Sequence, residues 1–441
     1  MWRCSLRINS MNNAKILNKT WSLCPVCLKR IPAERVKKGK KVFLIKTCEE
    51  HGPFEALIWG GFSEIDTWLG GKEKPWTKDP QCPDNCGLCP DHQQKTCCII
   101  VNVTANCNLN CRFCVADHEN IKEPSFEEII ESLSKIIEKD KTLIQLSGGE
   151  PTIREDLPMI IKEAKKVGAK YVQLNSNGIR LGEDKDYVKE LAEAGLSFVF
   201  MQFDGTEDAM HEYIRNRPLL KIKQQAIENC AAYNLGVTLV PTIVRGVNSQ
   251  NIGNIIRYAI ERVPVVRGVH FQPVTYMGRI PGIPSDVNRF TLDELVFEIQ
   301  LQTDGLIKAE HLLPSGCDHP LCGFHGDFVV EKDQVLPLLS NKSTGSSCCC
   351  GSVPAEKNRE FVGRRWLRPV PDAEMDSCCG DLHDMEYFLK RVKTNGFTIT
   401  AMAFQDAGNI DLARLQQCSL HVYDKGRIVP FCSYNLTAWK K

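Results

Sequence analysis

The sequence predicts an α/β protein in which a partial (β/α)6 barrel lies between two cysteine-rich modules. Between residues 96 and 280, six short apolar runs alternate with stretches of helical periodicity, which is the pattern of a parallel sheet with right-handed crossovers. The flanking regions are rich in cysteine and poor in regular periodicity. We therefore divide the 441 residues into a tail (1–20), a cysteine-rich metal-binding module (21–95), the barrel (96–285) and a cysteine-rich C-terminal auxiliary domain (286–441).

Each predicted barrel strand is a short apolar run of the kind that is buried on both faces of a parallel sheet. The six runs are 98–104, 143–146, 171–175, 198–203, 236–244 and 269–274. Helices are predicted between them at about 156–167, 184–194, 219–234 and 250–262, and Gly236 is expected to end the third of these. Ser125 and Glu128 have the spacing of a capping box, and Thr291 and Glu294 repeat it.

Charge and hydropathy exclude several classes of protein. Lys plus Arg (55) nearly balances Asp plus Glu (54), so the net charge of +1 gives no reason to expect a nucleic-acid partner. No apolar run is long enough to span a bilayer and the first residues lack the apolar core of a signal peptide, so we expect a soluble, cytoplasmic protein. In a reducing compartment, the 22 cysteines are expected to bind metal or to react rather than to form disulfides.

The functional prediction depends on a triplet of cysteines, Cys107, Cys111 and Cys114, on a tight loop after the first predicted strand. This spacing can hold three irons of a [4Fe-4S] cluster, whereas such clusters normally take four thiolates. The fourth iron is then open and can chelate a small molecule. A structural zinc loop is the alternative, but structural zinc is closed by a fourth ligand and usually takes its cysteines in pairs.

Three further motifs follow consecutive predicted strands. They are Ser-Gly-Gly-Glu-Pro at 147–151, Asn-Ser-Asn-Gly at 175–178 and Gln-Phe-Asp-Gly at 202–205. Any one of them could be ordinary turn chemistry. Because the loops after parallel barrel strands lie on one rim, however, we expect all three to face the cysteine loop.

The cysteine loop together with the Gly-Gly-Glu-Pro motif resembles the radical S-adenosylmethionine (SAM) superfamily over roughly residues 96–280. The resemblance implies a partial TIM-like barrel and a [4Fe-4S] cluster on the three cysteines, whose open iron chelates the methionine part of SAM. It further implies that an electron from the cluster cleaves SAM to a 5′-deoxyadenosyl radical, which abstracts hydrogen from an unactivated C–H bond. A flavodoxin- or ferredoxin-type protein is expected to donate the electron.

The same resemblance assigns the residues that bind SAM. Gly148, Gly149 and Glu150 are expected to contact the methionine amino group, and Ser176 and Asn177 to approach the ribose. An aromatic side chain in the cysteine loop should lie beside the adenine, and a carboxylate after the fourth strand is assigned to the same cofactor. These two residues are Phe113 and Asp204.

The first cysteine-rich module contains a paired set of metal ligands. Cys24 and Cys27 form one pair, and Cys48 and His51 form the second. Two pairs at this separation predict a closed tetrahedral or rubredoxin-like site. Zinc is favoured over iron.

A second cysteine triplet, Cys82, Cys86 and Cys89, repeats the spacing of the first. It lacks a preceding strand and a following Gly-Gly-Glu-Pro motif, so we interpret it as an auxiliary cluster with Cys97 or Cys98 as the fourth ligand. A second zinc site is the alternative.

The C-terminal region offers a further set of cysteines. Cys317, Cys322, Cys418 and Cys432 could close another cluster, which gives one or two auxiliary clusters in all. The adjacent thiols at 348–350 and 378–379 are interpreted as redox-active groups, occasional ligands or bystanders, because neighbours on a chain rarely point at one metal.

The flanking motifs resemble the subfamily that contains archaeal tetraether lipid synthase and related radical SAM (seleno)proteins. We therefore expect carbon–carbon coupling of lipid chains, with peripheral contact to a membrane. The alternative is a radical methyltransferase or modifying enzyme that acts on a pterin, peptide or other small molecule. A hypothesis of a different class, a non-catalytic electron carrier with several clusters, is disfavoured because a carrier needs no open iron.

Overall fold

The computed structural model describes residues 14–71, 81–87, 89–116, 123–332, 334–339, 355–369 and 385–439. In that part of the chain, the first four strands form an antiparallel sheet of their own. They are β1 (Ala14–Leu23), β2 (Arg30–Lys38), β3 (Lys41–Cys48) and β4 (Gly52–Trp59), and the short helix α1 (Ile65–Leu69) follows. Residues 14–20, predicted as part of a tail, belong to β1. Four of these seven residues are polar, so the run lacks the apolar character that marks a strand in the sequence.

The six predicted barrel strands are confirmed. They are β5 (Cys98–Thr104), β6 (Leu143–Gly148), β7 (Tyr171–Ser176), β8 (Phe198–Gln202), β9 (Gly236–Val240), which is continued by the two-residue strand β10 (Thr242–Ile243), and β11 (Val266–Pro273). They pair in parallel in the order β5-β6-β7-β8-β9-β11.

Helices cover the outside of these strands. They are α2 (Phe126–Ile136), α3 (Leu157–Val167), α4 (Ile179–Glu183), α5 (Lys185–Glu193), α6 (Asp208–Arg215), α7 (Leu220–Ala232) and α8 (Ile252–Ile260). Ser125 and Glu128 form the predicted capping box, whereas Gly236 begins β9 rather than ending α7. None of the helices that the structure describes has the length and apolar character needed to cross a membrane.

The C-terminal part of the chain extends the barrel sheet on both sides. Its elements are α9 (Leu292–Gln302), β12 (Leu313–Pro314), β13 (Gly323–Glu331), β14 (Gln334–Pro337), α10 (Ala355–Trp366), α11 (Met385–Thr394), β15 (Gly396–Met402), α12 (Leu412–Gln416), β16 (Leu420–Asp424), β17 (Arg427–Pro430) and α13 (Phe431–Tyr434). β15 pairs in parallel with β11, and β16 with β5. The second capping box is wrong, because the Thr291 side chain makes no capping bond at the start of α9. The domain boundary near residue 285 stays a prediction.

Helix α10 packs across the amino-terminal ends of β7 and β8. Gly363 lies so close to the Tyr171 ring that a Cβ there would overlap it. The Trp366 ring packs edge-on against Phe198 and Phe200, with centroids 5.8 and 4.5 Å apart. The barrel interior is therefore covered at this end, and its carboxyl end carries the predicted functional loops.

Candidate active site

The first cysteine triplet lies at the carboxyl end of β5, on the wall of a cavity of about 320 Å³ inside the barrel. Backbone hydrogen bonds hold the loop from two sides. The amide of Arg112 donates to the Ile214 carbonyl at the end of α6 (2.9 Å), and Cys114 and Arg279 exchange two bonds of 3.0 and 2.9 Å. Cys107, Cys111 and Cys114 are free thiols that border the same cavity, as the prediction requires.

Two glycines bring the end of β6 against the start of the cysteine loop. The amide of Gly149 donates to the Thr104 carbonyl, and that of Glu150 to the Asn106 carbonyl, both at 2.8 Å. A Cβ at Gly148 would overlap the Thr104 carbonyl oxygen, and one at Gly149 the Asn106 carbonyl oxygen. The glycines are therefore required for this close approach, and their predicted contact with methionine stays a prediction.

Glu150 is buried, and both of its carboxylate oxygens accept hydrogen bonds. One oxygen accepts from the hydroxyls of Thr152 (2.6 Å) and Ser176 (2.8 Å), and the other accepts from the amide of Asn177 (2.6 Å). Burial raises the pKa of Glu150, and these hydrogen bonds oppose that rise. Glu150 therefore links the ends of β6 and β7 and fixes the positions of the two loops that follow these strands.

Asn177 connects that rim to the cysteine loop. Its side-chain amide donates to the Asn108 side chain (2.7 Å), and its carbonyl accepts from the buried Lys223 ammonium (2.8 Å), which also donates to the Gln202 carbonyl (2.5 Å). Burial lowers the pKa of Lys223 to about 8, although the Asp204 carboxylate opposes the shift. The predicted ribose contacts of Ser176 and Asn177 stay predictions.

Asp204 is fully buried behind the cavity wall and pairs with Arg215. The Arg215 guanidinium donates to both of its oxygens (2.7 and 2.8 Å) and also reaches the Thr242 hydroxyl (2.9 Å). Burial by itself raises the pKa of Asp204, but the charge and hydrogen bonds of Arg215, together with the nearby His211 and Lys223, hold the pKa below its usual value. Asp204 therefore fixes Arg215, and its own contact with SAM stays a prediction.

Arg215 is a functional residue that the sequence did not reveal. It lines the cavity and lies within hydrogen-bonding reach of the Cys111 sulfur. Burial lowers its pKa, but the Asp204 carboxylate raises it well above the usual range, so the guanidinium stays charged. Only its position at the last turn of a helix beside the loop distinguishes it from the other basic residues, and that position is not visible in the sequence.

These features fit an iron-sulfur cluster. Three thiols line one cavity, the glycines leave the backbone bare, and Arg215 supplies a fixed positive charge that complements a negatively charged cluster. Phe113 borders the cavity and packs edge-on against Tyr276, with centroids 6.3 Å apart. Its position is compatible with the predicted place beside an adenine.

The first cysteine-rich module contains a compact ligand set. One donor atom from each of its four predicted ligands lies within 4.8 Å of the others; these are Cys24, Cys27, Cys48 and His51. A hydrogen bond with His51 lowers the pKa of Cys48 to about 6, which favours the thiolate that metals bind. This arrangement fits a closed tetrahedral site.

The second triplet borders another cavity, of about 520 Å³, below β5. Its three cysteines, Cys82, Cys86 and Cys89, share this cavity with Cys97. Cys98 borders the barrel cavity and not this one, whereas Cys97 borders both. Of the two candidates for a fourth ligand, the structure therefore favours Cys97.

Of the four C-terminal cysteines, three surround one small cavity together with Asp318; they are Cys322, Cys418 and Cys432. The Cys317 sulfur does not border this cavity. It lies 3.5 Å from the Ser419 hydroxyl and 3.3 Å from Oδ2 of Asp318. The sequence analysis did not single out Asp318, whose carboxylate contacts Cys317 and whose residue also borders the cavity of the other three cysteines. The thiols at 348–350 and 378–379 fall outside the described residues.

Comparison with known proteins identifies the family. The model of the radical SAM superfamily matches residues 101–259. A relative from Methanocaldococcus jannaschii, 7,8-dihydro-6-hydroxymethylpterin dimethyltransferase, is 36% identical over 477 residues, covering 95% of this chain and 93% of that one. The chain belongs to the radical SAM superfamily. It is therefore a radical SAM enzyme, and membership implies a [4Fe-4S] cluster and SAM.

Other matches to this radical SAM enzyme are more partial. Residues 16–60, which include most of the first sheet, match the model of the HMPTM N-terminal zinc ribbon domain. The GTP 3′,8-cyclase of Nautilia profundicola is 28% identical and covers 45% of this chain and 62% of its own. Among solved structures, methylornithine synthase aligns with a TM-score of 0.40 at 13% identity, covering 64% of this chain and 86% of that one. The expected subfamily of tetraether lipid synthase is not supported by these matches.

Proposed function

We propose that this protein is a radical methyltransferase that acts on a pterin. The observation that carries the proposal is the 36% identity to 7,8-dihydro-6-hydroxymethylpterin dimethyltransferase along nearly the whole of both chains. This favours the alternative raised by the sequence over carbon–carbon coupling of lipid chains. The character of the cavity supports the choice, because neutral amide side chains from several strands line it beside aromatic rings.

The residues at the mouth of the barrel have distinct roles in this proposal. Cys107, Cys111 and Cys114 would hold the cluster, and SAM bound to it would supply the radical that abstracts hydrogen. Arg215 stabilises negative charge at the Cys111 thiolate, and the buried Asp204 keeps Arg215 in place. The close packing of the Gly148–Gly149 turn fixes the loop relative to the barrel.

The remaining metal sites are assigned as auxiliary. We propose zinc at the Cys24 site, in keeping with the zinc ribbon match. An iron-sulfur cluster is proposed on the second triplet with Cys97, and another on the three C-terminal cysteines. A flavodoxin- or ferredoxin-type donor would supply electrons, and the protein would act in the cytoplasm.

The deciding experiment traces the hydrogen atom that the radical removes from the substrate into 5′-deoxyadenosine. The anaerobically reconstituted enzyme is given SAM, dithionite and 7,8-dihydro-6-hydroxymethylpterin deuterated at C7, the ring carbon that carries hydrogen. We expect deuterium in 5′-deoxyadenosine and, when a small-molecule extract of the producing cells is added as one-carbon source, a methylated pterin. The triple variant Cys107→Ala, Cys111→Ala, Cys114→Ala is the control and should form neither product.

Two results would contradict the proposal. Absence of 5′-deoxyadenosine from wild type with full cluster content would argue for an electron carrier. Formation of unlabelled 5′-deoxyadenosine that is stimulated by lipid and not by pterin would restore the lipid hypothesis.

A further inference from the structure

Two glutamines on neighbouring strands form a polar pair inside the barrel. Gln145 of β6 and Gln173 of β7 are register partners, and both side chains line the cavity. The Gln173 amide nitrogen donates to the Gln145 amide oxygen at 2.8 Å. Gln173 is 1% exposed, so this bond fixes its orientation in the interior.

The bond uses the amide nitrogen of Gln173 and the amide oxygen of Gln145, and so leaves the other polar atom of each amide for a different partner. Neither the Gln145 nitrogen Nε2 nor the Gln173 oxygen Oε1 hydrogen-bonds to another residue in the part of the chain that the structure describes. Both side chains line the cavity, so a ligand in the cavity can supply these hydrogen bonds. The pair is therefore arranged to receive a ligand that offers an acceptor next to a donor.

The surroundings favour a flat, neutral ligand. The rings of Phe200 and Trp366 meet 4.5 Å apart on the same cavity, and His270 packs 5.5 Å from Phe200. Burial lowers the pKa of His270 to about 4, so the imidazole is neutral at physiological pH. A hydrocarbon chain would leave the amides unpaired. A phosphate would need a free cation, and Arg215 on the cavity wall is already paired with the Asp204 carboxylate.

We infer that the Gln145–Gln173 pair binds the lactam edge of the pterin ring. Gln145 Nε2 donates to the ring carbonyl at C4, and Gln173 Oε1 accepts from the adjacent ring N3–H. The inference rests on the proposed function, and it assigns the part of the substrate that the enzyme recognises. Such a site discriminates by hydrogen bonding, because a ring that lacks either group leaves a buried amide without a partner.

The test measures binding to the anaerobically reconstituted enzyme by quenching of the fluorescence of 6-hydroxymethylpterin. We expect Gln145→Met and Gln173→Met to raise Kd about tenfold each, a change equivalent to about 1.4 kcal/mol. The matched control, Gln225→Met, alters an exposed glutamine on α7 that donates a hydrogen bond to Asn229 outside the cavity, and it should leave Kd unchanged. Wild type should also bind the N3-methylated pterin about tenfold more weakly, which tests the contact without any variant.

The outcomes separate this inference from the proposed function. If wild type binds no pterin, both fail. If wild type binds pterin but does not discriminate against the N3-methylated ring, or both Met variants bind it as wild type does, the inference alone is overturned. It is also overturned if the variants lose affinity for SAM and keep that for pterin, because the pair would then serve the cofactor.

Discussion

Three glycines allow the cysteine loop to pack closely against the barrel. Gly148, Gly149 and Gly278 each lie against a backbone carbonyl at a distance that no side chain would allow. Two of these contacts lie before the triplet, at Thr104 and Asn106, and one lies at its end, at Cys114. The cysteine loop can therefore take this geometry only because these three positions carry no side chain.

Gly149→Ala should displace the loop, because the new Cβ would overlap the Asn106 carbonyl oxygen just before Cys107. Since small misplacements of reacting groups have large effects, we expect 5′-deoxyadenosine formation to fall about 100-fold. Gly282→Ala is the matched control, because no atom lies within 4 Å of a Cβ at that position. Equal activity of the two variants would show that the close approach is not needed.

Asp204→Asn should destabilise the protein strongly, because it leaves the buried Arg215 guanidinium without a counter-charge. We expect the free energy of unfolding to fall by about 3–5 kcal/mol in anaerobic urea titrations. Glu155→Gln removes the partner of Arg180, but Glu155 is 83% exposed, so its effect should stay within about 1 kcal/mol. Similar losses in the two variants would mean that the Asp204 pair is not a structural link.

At the scale of elements, the barrel strands could be predicted because each is a short apolar run bounded by turn residues. The strands β12 to β17 were not predicted. β12 has two residues and β14 and β17 have four each, while the longer β13 and β15 pair with each other across about 70 residues of chain, as in the pairing of Gly323 with Met402. Arg215 was missed for the same reason, because its two neighbours Asp204 and Cys111 meet it only in the folded protein. The triplet itself was predictable because its ligands are local in sequence.

The first sheet depends on its metal site, according to the proposed zinc assignment. Cys27→Ala should remove one equivalent of zinc and leave the iron content unchanged, as measured by elemental analysis. Cys230→Ala, which alters a buried thiol on α7, should change neither metal. Loss of one equivalent of iron in Cys27→Ala, with zinc retained, would identify the site as iron.

At the scale of the whole molecule, one short segment ties the first sheet and the barrel to the C-terminal region. Asp411 pairs with the buried Arg35 of β2 (2.7 Å), and Asp406 accepts a hydrogen bond from the amide of Tyr276, which follows the last barrel strand (3.4 Å). The buried Lys46 of β3 also donates to the Ala407 carbonyl (2.8 Å). Because these links join the parts, we expect the parts to unfold together. Deletion of residues 406–411 should therefore also unfold the first sheet.

Acid should destabilise the fold through its buried histidines. Burial lowers the pKa of His211 to about 4, while in the unfolded chain it titrates near 6.5. Between these values the unfolded state binds the additional proton, so stability falls as the pH drops. His211→Gln should remove about 1 kcal/mol per pH unit from the slope of unfolding free energy between pH 4.5 and 6. An unchanged slope in urea titrations would mean that His211 is protonated in the native protein.

Helix α10 has a consequence for the order of events in a catalytic cycle. It covers the amino-terminal ends of β7 and β8, and the proposed pterin site lies between that helix and the cysteine loop. A substrate that enters by the carboxyl end must pass the proposed SAM site. We therefore expect the pterin to bind first and the methylated product to leave last, after methionine and 5′-deoxyadenosine have cleared the entrance.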